Sequence, residues 1–315
     1  MSSFKNIIPA QTSESYQKWL DANEGLAYKI AKEFPEFKYI ETINEIDGGG
    51  YQYAPTYVTN GTKPTISTMA QWSMDLCHAY SKGIRRAESN LKVMSPAFSC
   101  LDSDGNYHPY NTKNFISSCY SYIESSSDPY TNNWFQVMNL HPYVFPSKSN
   151  VGEDSVYLWN TYPVLTNNYA IDNTDYDTDW VNYMNYVHNT IMAGHGDTKK
   201  SIAITEFGFS DMNGTTDSHW KYVNRNNRFN TIATNMMNKI NSLNYIETLI
   251  WFRMFDFQIG DPASAFGGCL EPNFGLIETD KTLKELGKVL YQLWNGGSTD
   301  YSNITSYLST MEGRN

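Results

Sequence analysis

Short apolar runs alternate along the chain with longer segments in which apolar side chains recur at helical spacing. The helical spacing predicts helices over 13–33, 67–88, 112–126, 179–193, 218–242 and 281–294. The apolar runs predict strands over 37–45, 92–97, 135–141, 201–207 and 246–254. Strands that alternate with helices indicate a parallel sheet with crossover helices, so we expect an α/β fold.

The segments between these elements predict loops and a single domain. Residues 47–66 and 144–178 show no regular period and are predicted to be long loops. No linker divides the chain before residue 294, so we expect one domain over 1–294. Residues 295–315 are rich in Gly, Ser, Thr and Asn, and they predict a loosely held tail.

The composition is that of a folded protein that does not bind nucleic acid. Charged residues make up 18 % of the chain, aromatic residues make up 15 %, and the net charge is −10. Disordered chains show the opposite balance. A phosphate backbone would be repelled, since the basic residues cluster only as the pairs Arg85-Arg86 and Lys199-Lys200. The many Tyr, Asn, Ser and Thr residues suit a surface that binds hydroxyl-rich ligands and are equally common in secreted proteins.

Membrane, metal and redox chemistry have little support in the sequence. No apolar stretch approaches the roughly 18 residues that a membrane-spanning helix needs. The first residues lack the apolar core of a signal peptide, although we expect a secreted or extracellular protein. The four cysteines form no CxxC pair and have no histidine at ligand spacing, so we expect no zinc site and no cofactor. Cys100 and Cys119 leave two interpretations, a disulfide outside the cell or buried free thiols.

Two glutamates each close an apolar run that predicts a buried strand. Glu45 closes the run 39–45, and Glu206 closes the run that begins at residue 201. Active groups of parallel α/β folds collect at the carboxyl ends of the strands, where His141, Tyr143 and Trp251 are also predicted to lie. Hydrolysis of a glycosidic bond needs such a pair of carboxylates. One gives and takes a proton, and the other attacks the sugar or activates water.

With these motifs in this order, the chain resembles retaining glycoside hydrolases of the (β/α)8-barrel clan over about residues 13–294. The resemblance lies in the ends of strands four, six, seven and eight and in the stretch after strand eight. The matching motifs are Asn44-Glu45, His141-Pro142-Tyr143, Thr205-Glu206-Phe207-Gly208, Trp251 and the segment from Phe274 to Lys284. The β-xylosidase-like and endo-β-glycanase branches are closest, and the residues do not choose between them.

The resemblance implies catalytic roles for the two glutamates. Glu45 would be the general acid/base, which protonates the leaving oxygen and later deprotonates water. Glu206 would be the nucleophile that forms a glycosyl-enzyme intermediate. Retention of configuration implies carboxyl groups about 5–5.5 Å apart.

The resemblance also implies four residues that bind substrate, a carbohydrate. Asn44 would hydrogen-bond the sugar hydroxyl next to the reacting carbon, and Trp251 would lie under the C–H face of the ring. Tyr143 would orient the nucleophile, and His141 would line the same cleft. Asn44 and its neighbour Glu45 point to opposite faces of a regular strand, so both reach the cleft only if the strand ends or bulges there.

The chain departs from the clan at its start. Three strand–helix units precede the acid/base motif in that clan, whereas 44 residues precede Glu45 here. We therefore expect a partial TIM-type (β/α) barrel with strands four to eight, truncated at its N-terminus. Its first and last strands would be open edges. Such a chain is expected to be weakly active or inactive, or to need a partner that covers the gap.

Two other classes of function stay open. The first is a non-catalytic carbohydrate binder, a degenerate barrel that keeps the cleft without turnover. The second is a barrel with aldol or isomerase chemistry, which would need a strand-end lysine or a metal cluster, and the sequence shows neither. The sugar, the linkage and the oligomeric state are not indicated.

Overall fold

The computed structural model describes residues 8–48, 60–100, 110–146, 156–158, 176–208, 234, 236–255, 275–278 and 280–310. The chain forms two compact units. The first unit consists of Met1–Pro142, Tyr183–Thr205 and Tyr245–Leu249. The second unit consists of Tyr143–Asn182, Glu206–Asn244 and Ile250–Asn315.

Helices and strands alternate as the sequence pattern predicts. The helices are α1 (Glu14–Glu33), α2 (Ile66–Arg86), α3 (Thr112–Ser125), α4 (Tyr176–Tyr186), α5 (Glu285–Trp294) and α6 (Ser302–Thr310). A 3-10 turn covers Thr131–Asn133, a π-helical turn covers Val187–Met192, and residues 236–242 are helical. The strands are β1 (Tyr39–Ile40), β2 (Lys92–Phe98), β3 (Val137–Leu140), β4 (Val144–Pro146), β5 (Val156–Leu158), β6 (Ile202–Phe207) and β7 (Ile246–Trp251).

Five of the described strands form one sheet in the order β1-β2-β3-β6-β7. The pairs β1/β2, β2/β3 and β3/β6 are parallel. The backbone amide of Ile202 donates to the carbonyl of Tyr245 at 2.7 Å, which joins β6 to β7. The predicted α/β fold with a parallel sheet is therefore confirmed.

Side chains from neighbouring strands form a buried apolar layer on one face of this sheet. Met94, Val137 and Ala203, from three neighbouring strands, are buried together, and Tyr39 packs against them. The carboxylate of Glu247 on β7 accepts a hydrogen bond from Tyr39 on β1. It also lies 3.5 Å from the Nζ atom of Lys92 on β2. Since β1 and β7 are the two ends of the strand order, these contacts require a curled sheet within the first unit.

Helix α2 covers the sheet and packs on α1. Its start is capped by Thr65, whose side chain accepts a hydrogen bond from the backbone amide of Thr68 at 3.1 Å. The buried face of α2 contains the apolar residues that the helical spacing predicts, including Met69, Trp72, Met74, Leu76 and Ile84. Three buried cysteines of the described residues, Cys77, Cys100 and Cys119, are free thiols, so the possible Cys100–Cys119 disulfide is absent.

Three local predictions differ from the structure. Strand β1 covers Tyr39–Ile40 and not 37–45, because the chain turns after Ile43, whose carbonyl still accepts from the amide of Ala97 at 2.8 Å. The predicted loop 144–178 contains the antiparallel pair β4–β5 and the start of α4. The predicted tail 295–315 contains α6, because Asp300 caps Ser302 at 3.0 Å and Leu308 is buried. Most of the predicted helix 218–242 lies outside the described residues.

No helix in the described parts of the chain is both long and apolar enough to cross a membrane. The boundary near residue 294, between the predicted domain and the predicted tail, stays a prediction, and so does the single domain over 1–294.

Gly83 and Gly25 provide a matched test of the packing between α1 and α2. A Cβ atom on Gly83 would lie 2.2 Å from the backbone oxygen of Glu24, whereas one on Gly25 would meet nothing within 4 Å. We expect Gly83→Ala to lower the free energy of unfolding by roughly 3 kcal/mol, as in other overpacked cores. We expect Gly25→Ala to raise it by about 0.5–1 kcal/mol, since alanine favours the helix. Urea unfolding measures both, and a neutral Gly83→Ala variant would contradict the close approach.

Candidate active site

Glu45 lies in a turn beyond the end of β1, in the first unit. Its backbone has φ of 43°, a left-handed conformation that is uncommon for a residue other than glycine. The amide of Gly48 donates to the carbonyl of Glu45 at 3.0 Å and closes the turn. Asn44 is exposed just before it. The strand has ended before these two residues, so a strict alternation of faces does not apply to them.

The Glu45 carboxylate contacts a buried imidazole. Its Oε1 atom lies 3.1 Å from Nδ1 of His141, which follows the last residue of β3. The His141 side chain is fully buried, whereas that of Glu45 is 33 % exposed. The backbone amide of His141 donates to the carbonyl of Phe98 on β2 at 2.8 Å, which fixes the ring at this edge of the sheet. A buried imidazole nitrogen therefore contacts a carboxylate that solvent or a ligand can reach.

A network of polar side chains supports His141 from below. The Nε2 atom of His141 lies 2.9 Å from Oγ1 of Thr205. Thr205 Oγ1 lies 2.8 Å from Oε2 of Glu41 and 2.8 Å from Oδ1 of Asn139. Asn139 Nδ2 donates to the same Glu41 oxygen at 2.9 Å. Both ring nitrogens of His141 are thus within hydrogen-bond distance of a side-chain oxygen of the first unit.

The sequence assigned no role to Glu41 or Thr205. The signal that identifies them is the period of two along a strand, which places Glu41 on the face of Tyr39 and Thr205 on the face of Ala203. The same period relates Asn139 to His141. Glu41 directly follows β1, Asn139 lies on β3 and Thr205 lies on β6, and the three residues meet because the sheet curls.

A second buried carboxylate, Asp47, anchors the turn that carries Glu45. Its oxygens accept hydrogen bonds from the amide of Ser99 at 2.9 Å, from the Ser99 hydroxyl at 3.0 Å and from the Thr112 hydroxyl. Burial raises the pKa of Asp47 from 3.8 to about 6, and the charge of Glu45 adds to the rise while the three hydrogen bonds oppose it. The turn is thereby tied to the end of β2 and to the start of α3.

The second unit contains a similar pair around the other predicted carboxylate. The hydroxyl of Tyr143 donates to Oε2 of Glu206 at 2.6 Å. The ring of Tyr143 packs edge-on against Phe252, with ring centroids 5.7 Å apart. Glu206 is partly buried near the end of β6. Tyr143 thus restricts the rotation of this carboxylate and occupies one of its two oxygens.

Trp251 is the last residue of β7 and is partly exposed. Its ring packs edge-on against the fully buried Phe207 at 5.5 Å, and Phe207 packs in turn against Trp180. The amide of Phe252 donates to the carbonyl of Phe207 at 2.8 Å. An indole held in this way keeps part of its surface available to an apolar ligand face.

The structure brings four of the predicted site residues together in two pairs. Glu45 bonds His141 in the first unit, and Tyr143 bonds Glu206 in the second unit. The convergence of the Glu45 and Glu206 carboxylates on one cleft stays a prediction, as do the individual roles in catalysis and binding.

The raised pKa of Asp47 predicts how stability depends on pH. The folded protein holds this proton more tightly than the unfolded chain, so the wild-type free energy of unfolding falls as pH rises from about 4 to about 6. The fall is roughly 3 kcal/mol, at 1.36 kcal/mol per pKa unit. Asp47→Asn has no such proton, so its free energy of unfolding lacks this fall. Urea unfolding at several pH values measures the difference.

Thr112→Ser is the control for this experiment, because it keeps the hydroxyl that donates to Asp47 and retains the wild-type dependence. Parallel pH curves for Asp47→Asn and the wild type would contradict the assignment.

No protein-family model matches the chain, and no curated protein matches it. Solved glycoside hydrolases share its fold. One is a GH5_18 enzyme from Streptomyces cattleya in complex with Manβ1-4GlcNAc, with 13 % identity, a TM-score of 0.53 and coverage of 94 % of this chain and 57 % of that chain. Another is a GH5_18 enzyme from Bifidobacterium longum, with 12 % identity, a TM-score of 0.51 and coverage of 90 % and 53 %.

Fungal β-1,4-galactanases match at 13 % identity with a TM-score of 0.51, over 90 % of this chain and 71 % of that chain. The chain spans little more than half the length of the two GH5_18 structures. At such low identity the likeness concerns the fold alone. The parallel sheet with its helices is that of the (β/α) barrels of glycoside hydrolases.

Proposed function

We propose that this chain is a retaining glycoside hydrolase domain that cleaves β-glycosidic bonds in polysaccharides or oligosaccharides. Glu45 is the general acid/base, and Glu206 is the nucleophile. The observation that carries the proposal is the bond between the reachable Glu45 carboxylate and the buried His141, at the edge where a parallel sheet of this fold presents its active groups.

The two glutamates divide the chemistry in the usual way for retention. Glu206 attacks the anomeric carbon while Glu45 gives its proton to the leaving oxygen, and a glycosyl-enzyme ester forms. Glu45, now a carboxylate, takes a proton from water, which attacks the same carbon and releases Glu206. Each glutamate returns to its first state, so no cofactor is consumed.

The chain connection supports a shared cleft. Thr205, whose hydroxyl lies 2.9 Å from His141, is followed directly by Glu206 on the same strand. Because neighbours on a regular strand point to opposite faces, Glu206 turns toward the same cleft only where β6 ends. Tyr143 likewise follows His141 by two residues. We propose that the two carboxylates converge at the roughly 5–5.5 Å that retention needs.

The remaining site residues bind and orient substrate in this proposal. Asn44, exposed beside Glu45, binds the sugar hydroxyl next to the reacting carbon. Trp251 presents its partly exposed ring to the C–H face of the sugar. Tyr143 donates a hydrogen bond to one oxygen of Glu206 and so orients the nucleophile.

The five strands correspond, in this proposal, to strands four to eight of a full eight-stranded barrel. β1 would be strand four, which ends at the acid/base, and β6 would be strand seven, which ends at the nucleophile. A secreted or extracellular location belongs to the same proposal. The described cysteines Cys77, Cys100 and Cys119 are free thiols, so no disulfide among them supports that location.

Variants at the two glutamates test the reaction. We expect Glu206→Ala to abolish turnover of nitrophenyl β-glycosides, because no ester forms. We expect Glu45→Gln to lower turnover of unactivated oligosaccharides by about 10²–10⁴-fold, the range for loss of a general acid. Dinitrophenyl glycosides need no proton to leave, so their first step is retained and gives a burst. Colorimetric assays and NMR of the product anomer measure these effects.

Glu36→Gln, at an exposed position, is the matched control and keeps wild-type turnover. Turnover that survives Glu206→Ala, or an inverted product, would reject the proposed mechanism. Sugar binding by calorimetry without any turnover would instead indicate the non-catalytic carbohydrate binder.

Tyr143→Phe tests the orientation of the nucleophile. A hydrogen bond to a charged group contributes about 1.5–3 kcal/mol, so we expect kcat to fall roughly 10–100-fold with little change in KM. The ring contact with Phe252 is retained in this variant. Steady-state kinetics on an aryl glycoside measures the change, and an unaltered kcat would show that the Tyr143 hydroxyl does not act on the nucleophile.

A further inference from the structure

We propose that Glu41 and Thr205 are positioning residues that keep a proton on Nε2 of His141, so that its Nδ1 atom shares one proton with Glu45. The proposal rests on the proposed role of Glu45 as general acid/base. Neither Glu41 nor Thr205 touches the reacting atoms in this scheme, since both act through His141.

The argument begins with the single proton of the Thr205 hydroxyl. Three polar atoms lie within hydrogen-bond distance of Thr205 Oγ1: Glu41 Oε2 at 2.8 Å, Asn139 Oδ1 at 2.8 Å and His141 Nε2 at 2.9 Å. A hydroxyl donates one hydrogen bond and accepts two. At most one of the three neighbours can therefore receive the Thr205 proton.

Two of those neighbours are acceptors already. A carboxylate oxygen of Glu41 only accepts. Asn139 uses its Nδ2 atom to donate to Glu41 at 2.9 Å, so the atom that faces Thr205 is its carbonyl oxygen. If Nε2 of His141 were also a bare lone pair, three acceptors would compete for one proton. Nε2 therefore carries a hydrogen and donates it to Thr205.

The charge of Glu41 favours the same arrangement. Its Oε2 atom lies 4.0 Å from Nε2 of His141, which attracts an N–H dipole or an imidazolium charge. The ring is fully buried, so water does not replace the network. A buried polar network of this kind is stable only when each donor has an acceptor.

The state of Nδ1 follows from that of Nε2. With Nε2 protonated, Nδ1 is either a lone pair that accepts the proton of Glu45 or an N–H that donates to the Glu45 carboxylate. One proton occupies the 3.1 Å contact in both states. The acid/base thus keeps its proton beside a partner until the leaving oxygen takes it.

Histidine NMR tests this arrangement without any turnover. In long-range ¹H–¹⁵N spectra of the whole chain, His141 is assigned by the signals lost in His141→Gln. We expect Nε2 of wild-type His141 to be protonated, either as the neutral Nε2–H tautomer or as imidazolium. We expect Thr205→Val to give a mixture of tautomers, and Glu41→Gln to do the same because an amide N–H can then donate to Thr205.

Two variants control for loss of packing. Thr205→Ser keeps the hydroxyl and retains the wild-type signals, and Glu36→Gln removes an exposed carboxylate and also retains them. Circular dichroism confirms that each variant is folded. A wild-type Nε2 without a proton, or Nε2 signals unchanged in folded Thr205→Val and Glu41→Gln, would overturn the proposal.

The pH dependence of activity is the second readout. The titratable groups of the first unit that face the Glu45–His141 pair are Glu41, Asp47 and the Cys100 thiol. Asp47 titrates near pH 6, so the basic limb of the kcat profile is the one to measure. We expect Glu41→Gln to move this limb about one pH unit lower with KM unchanged, because a negative charge near the shared proton is gone.

The outcomes separate the two proposals. No turnover by the wild type rejects the glycosidase function, while the NMR result still decides the state of His141. Turnover with an unmoved basic limb in Glu41→Gln rejects the positioning role and leaves the glycosidase function standing.

Discussion

The register between β3 and β6 is the constraint on which the first unit depends. Asn139 pairs with Ala203 and Leu140 with Ile204, so the next pair along is His141 with Thr205. A slip of one residue would turn Thr205 to the other face and leave Nε2 of His141 without an acceptor. The buried apolar residues at the lower level, Val137 and Ala203, fix the same register. The packing of these apolar residues therefore determines that His141 and Thr205 lie side by side and can hydrogen-bond.

Two carboxylates, the fully buried Asp47 and the partly exposed Glu41, hold the turn in place, and each has its hydrogen-bond partners. Asp47 is fully buried and accepts from Ser99 and Thr112, so the unfavourable left-handed backbone of Glu45 is enforced by bonds on its C-terminal side. Glu41 accepts from Asn139 and Thr205 on the N-terminal side. The turn between them has little freedom, which explains how an otherwise strained residue keeps one orientation.

Much of this arrangement was predictable from local patterns. β2, β3, β6 and β7 lie within a few residues of their predicted positions, because each is an apolar run between helices. The contact between Tyr143 and Glu206 was predicted by the resemblance, and the positions of Glu45 and His141 at one edge were predicted because strand ends share an edge. The bonds of Glu41 were not, since they join residues 98 and 164 positions apart that only a curled sheet brings together. Helix α6 was missed because its stability comes from the Asp300 cap and buried Leu308 and not from periodicity.

The curl also brings side chains near the two ends of the strand order into contact. Open edges were expected at β1 and β7, yet Tyr39 and Lys92 both contact Glu247 across the ends of the strand order. Side chains thus join the two edges at the level of the apolar layer formed by Tyr39, Met94 and Val137. Glu41 lies two residues beyond Tyr39 on the same face, one level closer to the strand ends. The polar layer around His141 is therefore supported from below by an apolar layer that described strands of the same sheet provide.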